Sequence, residues 1–240
     1  MTGLISTSIV SFMPRIARTV IPEYPHHIIQ RGNNKQTIFF DNQDKKVYLD
    51  LLKKYSQECG CKIGAYCLMC NHVHILAVPC HKDSLAKCMQ KISLRFTQYI
   101  NKKYKRTGRL WECRFHSGLV DKDEYLWAVT RYIERNPVRA KIVTDPCQYE
   151  WSSARINMND RKDDFVKVIW QSHEEREEYI NYLKHQEDIA EIKKIKEHTY
   201  KGKPIGTEKF VKFVAELLGI NLIARPRGRP VKIKDENIKK

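Results

Sequence analysis

Two histidines one residue apart, His72 and His74 in Cys70-Asn71-His72-Val73-His74-Ile75-Leu76, form the first constellation that could do chemistry. The stretch reads as a β-strand: Val73, Ile75 and Val78 are β-branched, and nothing between Asn71 and Val78 breaks a strand. Side chains alternate between the faces of a strand, so both imidazoles project from one face, and Val73 and Ile75 from the other. Such a pair can bind one divalent metal ion; in isolation, a His-x-His is also what two satisfied or surface histidines look like. Further along, Tyr125-Leu-Trp-Ala-Val129-Thr-Arg-Tyr132-Ile-Glu-Arg-Asn136-Pro137 reads as a helix on which Tyr132 and Asn136, four apart, share a face. Alone, Tyr132 reads as core and Asn136 as a helix-end residue. Taken together with the histidines they suggest more. Two imidazoles and an amide oxygen can hold Mg²⁺ or Mn²⁺ with positions left open for a phosphate. The metal would polarise a phosphodiester, and the tyrosine would be a covalent nucleophile. A phenol with a pKa near ~10 needs the metal's field or a base before it attacks.

That chemistry requires a strand and a helix facing each other. Residues 26–31 read as a first strand, followed by the turn cluster Gly32-Asn33-Asn34. Asp41 or Asn42 caps a helix running to about Gln57, with Val47, Leu49, Leu51, Leu52 and Tyr55 near helical spacing. Residues 62–69 and 72–78 make two further strands joined at the Cys70-Asn71 corner. Asp83 or Ser84 caps a long helix to about Tyr104, its stripe being Leu85, Met89, Ile92, Phe96 and Ile100. Residues 110–120 read as a fourth strand, and Asp121 or Asp123 caps a third helix that runs through Asn136 until Pro137 stops it. The order is that of an α+β, ferredoxin-like split βαβ fold with a four-stranded antiparallel sheet. Two helices cover one face, and the third lies across the open face, opposite the histidines if Val73 and Ile75 pack under the first two.

Composition points to a polyanionic partner. Lys+Arg is 44 against Asp+Glu 28, a net charge of +16 with pI ≈ 9.5, and nucleic acid explains that excess better than a membrane does. No stretch approaches the ~20 apolar residues of a spanning helix. Residues 1–12 lack the features of a secretory signal and read as disordered or foreign to the fold. With no export signal, the eight cysteines are expected reduced, in a cytoplasm; a Cys59/Cys61 with Cys67/Cys70 zinc site is the minor alternative.

His72-Val73-His74 resembles the His-hydrophobic-His signature of the HUH nucleases. The wider pattern is similar to the single-tyrosine transposases associated with repetitive extragenic palindromes. The resemblance is carried by Arg31-Gly-Asn-Asn34, Ala65-Tyr-Cys-Leu-Met-Cys-Asn-His-Val-His74, Gly108-Arg-Leu-Trp-Glu-Cys-Arg114 and Tyr132-Ile-Glu-Arg-Asn-Pro-Val138, between about residues 13 and 155. It implies that His72 and His74 bind the metal, that Asn136 is the third ligand and that Tyr132 is the nucleophile. It also implies nicking of single-stranded DNA beside a hairpin, leaving a 5′-phosphotyrosine and a free 3′-OH, in a bacterial-type cytoplasm at the nucleoid. Cys70 stands where the family pattern leads one to expect proline.

Other positions carry weaker expectations. Arg31, Lys102, Lys103, Arg106, Arg114, Arg131, Arg135 and Arg139 are candidate phosphate contacts; a basic run such as 102–106 is more usually a solvated helix end, and Arg114 is equally an exposed or ion-paired strand position. His116 could meet phosphate, His26 and His27 could face the site, and Tyr125 is a rival nucleophile without a ligand one turn later. Residues 156–224 read as a helical extension with helices at about 172–185 and 207–219, forming a small subdomain or docking on the core. In Arg225-Pro-Arg-Gly-Arg-Pro230, Arg227 and Arg229 resemble an AT-hook for A·T-rich duplex, the alternative being an unspecific basic tail. The protein would act as a monomer or homodimer. The competing function is a non-catalytic DNA- or RNA-hairpin-binding regulator on the same fold.

Overall fold

A computed structural model describes residues 20–158, 164–167, 169–170 and 172–219. Its centre is an antiparallel sheet of β1 (His26–Arg31), β2 (Cys61–Met69), β3 (His72–Pro79) and β4 (His116–Leu119), in the order β2-β3-β1-β4. With α1 (Asn42–Glu58) and α2 (Ser84–Lys103) on one face this is the ferredoxin-like α+β plan. The Asp41 side chain accepts from the Asp44 N–H while Asp44 reaches back to the Asp41 N–H, so α1 starts in a reciprocal capping box.

Alternation sorts the two faces. Ile28, Tyr66, Leu68, Val73 and Ile75 pack with Tyr48, Leu52, Ile92 and Phe96 of α1 and α2. Ala65, Cys67, Met69 and Leu76, from the other face, pack under α3 (Leu126–Glu134) and α7 (Ile189–Lys201). Val73 and Ile75 are fully buried, and one such side chain contributes roughly 1.5–3 kcal/mol. The histidine strand is thereby locked in register, since a one-residue slip would turn both imidazoles into the apolar core.

Three expectations are corrected. The fourth strand does not span 110–120; only His116–Leu119 is strand, with an isolated Gly32–Trp111 bridge before it. Leu110 and Trp111 are adjacent yet both buried in the α1/α2-side core, which strict strand alternation forbids, so the chain bends at 112–114. The third helix starts at Leu126 and ends at Glu134, and Pro137 does not stop it but opens a further turn, α4 (Asn136–Arg139). Proline has no N–H to give Ile133, and the Asn136 side-chain amide donates there instead, at 3.3 Å. The extension holds one helix more than expected between its two predicted ones. After the short α5 (Ala154–Met158) and α6 (His173–Lys184) comes α7, laid over β1 and β4, then α8 (Glu208–Leu218), whose Phe210 and Val214 pack on Leu119 and Ile21. The extension is therefore docked on the core. Residues 1–12 and the AT-hook-like stretch with Arg227 and Arg229 lie outside the described residues.

Candidate active site

The sheet face turned away from α1 and α2 carries His72 and His74 and meets Tyr132 of α3. Cross-strand register sets Cys67, His74, Ile29 and His116 in one row and Met69, His72 and Arg31 in the next. His27 stands in the row beyond, between Leu76 and Gly118. The His72 and His74 ring centroids are 5.0 Å apart with planes at 79°. α3 lies over them and sets the Tyr132 ring edge-on to His74 at 5.6 Å and to His27 at 5.5 Å. The strand histidines and the helix tyrosine thus meet within one chain.

Each imidazole has a polar neighbour. His72 Nδ1 is 2.7 Å from Asn71 Oδ1, and Asn71 Nδ2 donates to the Lys35 carbonyl at 3.0 Å. His74 Nδ1 is 3.0 Å from His27 Nε2, and His27 Nδ1 is 2.8 Å from Thr199 Oγ1 of α7. Burial holds all three rings neutral. It pushes His27 down to about 3, aided by Arg139, and His72 to about 4, aided by Arg31 and Arg139. His74 falls well below its ordinary value through burial and the neighbouring His72 and His27. Neutral imidazole is the form a metal requires.

Tyr132 is buried, which raises the pKa of its phenol, while the Arg139 guanidinium, 4.3 Å from the ring centroid, works against that rise. Arg139 also donates to the Tyr132 carbonyl. The Asn136 amide nitrogen donates to the Tyr132 and Ile133 carbonyls, at 3.0 and 3.3 Å. Its committed nitrogen leaves the oxygen as the end with ligand chemistry. Among the described residues, no group of three or more His, Cys, Asp or Glu is arranged to hold a metal.

The basic residues divide. Arg131 pairs with Glu191 at 2.9 Å and lies 3.7 Å over the Tyr182 ring; Arg135 and Arg139 share Glu187. These three were expected as phosphate contacts. In the structure they clamp α3 and α4 to the extension, because Glu187 and Glu191 neutralise them in half-buried surroundings. Lys103 is likewise engaged, 2.7 Å from both Asp41 and Asp44, and Arg106 donates to Gln36 Oε1. Arg31 donates to the Tyr200 hydroxyl beside the histidines. Lys102 and Arg114 are exposed.

His116 shares the site face, its Nδ1 3.1 Å from the Tyr200 carbonyl. His26 faces the opposite side, with Nδ1 2.8 Å from the Tyr24 carbonyl. The Tyr125 hydroxyl accepts from Lys194 at 2.7 Å. Sequence reasoning did not single out Thr199, Tyr200 or Glu187, because their partners lie in distant segments. The signal present was for α7 itself: Asp188 at the N-cap, Ile189, Ile192 and Ile195 in a stripe, and Gly202 in left-handed conformation (φ 66°) after the last turn.

Comparison with known proteins bears on this arrangement. Residues 21–136 match the family of IS200-like transposases. The structure of a REP-associated tyrosine transposase bound to a REP hairpin aligns with a TM-score of 0.54 at 16% identity, covering 67% of this chain and 92% of that one. A putative transposase from Deinococcus radiodurans R1 aligns with a TM-score of 0.36 at 18% identity, over 53% of this chain and 92% of that one. No curated protein matches the sequence. The sheet and its helices have the fold of the first of these structures, and the stretch similar to the IS200-like transposases, just under half of the chain, spans both the histidine strand and the tyrosine helix.

Proposed function

We propose that this protein is a transposase of the IS200-like kind that nicks and rejoins single-stranded DNA beside a hairpin, with Tyr132 as nucleophile and His72, His74 and Asn136 as ligands of Mg²⁺ or Mn²⁺. The observation that carries the reading is the placement of the Tyr132 ring 5.6 Å from His74 within one chain, beside a second histidine 5.0 Å further along the strand. In the step proposed, Tyr132 Oη bonds to phosphorus and the bond from phosphorus to the 3′ oxygen breaks. The phenol loses its proton, and the leaving oxygen takes one up as a 3′-OH. The 5′-phosphotyrosine keeps a phosphodiester that another DNA end can attack. Arg139, stacked on the ring, and Arg31 favour the phenolate against the effect of burial.

The residues fit a cation. Asn71 Nδ2 is committed to Lys35 O, so Oδ1 faces His72 and can only accept; the His72 proton therefore sits on Nδ1, and Nε2 offers its lone pair. When bound, the metal supplies charge stabilisation at the phosphodiester. Hairpin DNA as substrate is supported by the +16 net charge and by the REP hairpin in the structural relative. An end-labelled hairpin oligonucleotide incubated with Mg²⁺ or Mn²⁺ tests this. A denaturation-resistant protein–DNA adduct is expected from the wild type and not from Tyr132→Phe. Hairpin binding with no cleavage by the wild type would favour the regulator instead.

A further inference from the structure

The His74 ring ends a hydrogen-bond chain whose direction can be worked out. Thr199 Oγ1 is 2.8 Å from the Ile195 carbonyl, which can only accept, so the one hydroxyl proton points there. Toward His27 the same oxygen must then accept, and the His27 proton lies on Nδ1, 2.8 Å away. That leaves His27 Nε2 as a lone pair, and the 3.0 Å contact to His74 Nδ1 requires the proton on His74 Nδ1. The His27 and His74 planes are within 12° of parallel with centroids 5.3 Å apart, the geometry of rings bonded edge to edge. His27, Ile195 and Thr199 have no exposed surface and His74 has 3%, so no solvent competes for these bonds. The opposite arrangement, with His27 donating to His74, needs a second donor proton that Thr199 does not have.

We propose that Thr199 and His27 are positioning residues of the metal site, a relay from the Ile195 carbonyl that fixes the His74 proton on Nδ1 and keeps Nε2 bare for the cation. The inference rests on the metal reading above and extends it. Thr199 lies on α7, outside the family-matched residues 21–136. The extension therefore completes the site: α7 contributes the group that determines which nitrogen of a strand histidine is available. His72 reaches the same state independently, through Asn71. The two imidazoles present equivalent nitrogens by separate devices, one local and one supplied from more than a hundred residues away. Partners that orient ligating histidines in this way govern metal affinity strongly.

The test is long-range proton–nitrogen NMR on the metal-free, histidine-labelled full chain, joined to Mn²⁺ titration followed by electron paramagnetic resonance. The wild type is expected to show His74 protonated on Nδ1. Thr199→Val, which keeps the shape and removes the acceptor, is expected to weaken Mn²⁺ binding roughly 10–100-fold, and Thr199→Ser to restore it. His27→Leu provides a second break of the relay should Thr199→Val fold poorly. A wild-type His74 protonated on Nε2, or relay variants that fold and bind Mn²⁺ as tightly as wild type, would overturn the proposal. Mn²⁺ binding that His74→Ala leaves unchanged would overturn the metal reading itself, whatever the tautomer.

Discussion

The Arg139 guanidinium lies 4.3 Å from the centroid of the Tyr132 ring and is held by Glu187 at 2.5 Å. A cation over a phenol ring favours the phenolate, whereas burial favours the phenol. Removing the cation leaves burial unopposed. Arg139→Gln is therefore expected to move the alkaline limb of the cleavage pH profile upward and to lower the rate at neutral pH. Rates measured from pH 6 to 10 check this, and an unchanged limb contradicts it.

Glu187 is also the single carboxylate serving both Arg135 and Arg139, its side chain only 7% exposed. Glu187→Gln leaves two partly buried guanidinium groups without their counter-charge. A loss of roughly 2–4 kcal/mol is expected, less than for a fully buried pair because both arginines retain some water. Chemical denaturation compares the two chains, and a loss under about 0.5 kcal/mol, the range of ordinary surface substitutions, would refute the clamp.

Glu134 gives the fold a pH dependence. Its carboxylate is buried and accepts from Ser153, Asn157 and Tyr179, linking α3 to α5 and α6. Burial outweighs these bonds and raises its pKa to about 7. Between the unfolded value of 4.5 and about 7 the folded state holds a proton that the unfolded state has lost, so stability falls as pH rises through that window. The fall attributable to this group is on the order of 3 kcal/mol. Urea midpoints from pH 4.5 to 8 should show it in the wild type and lose it in Glu134→Gln.

These couplings mark the limit of what the sequence discloses. The two-residue period around His72 and His74 and the long stripe on α2 follow from local patterning, which is why the sheet, its faces and the Tyr132–His74 encounter are legible. The bend at 112–114 is not, because it is imposed by Leu110 and Trp111 competing for one core. Nor is the employment of Arg131, Arg135 and Arg139, which depends on Glu187 and Glu191 some fifty residues away. His27 is not legible either, because its meaning comes from Thr199, on a helix whose lysines obscure its narrow apolar stripe.

Arg31 stands beside the histidine row with its guanidinium donating to the Tyr200 hydroxyl. As a phosphate contact, Arg31→Ala should weaken hairpin binding and lower the slope of log affinity against log salt by about one. Tyr200→Phe, which frees the guanidinium, should move affinity the other way. Fluorescence anisotropy across a salt series reads both, and an unchanged slope for Arg31→Ala rules the contact out.

Mass-spectrometric mapping of the covalent adduct formed with single-stranded hairpin DNA and Mn²⁺ decides whether Tyr132 is the nucleophile. A nucleotide remnant on the peptide carrying Tyr132 is the expected result. A remnant on Tyr125 or Tyr200, or none where cleavage is complete, would contradict it.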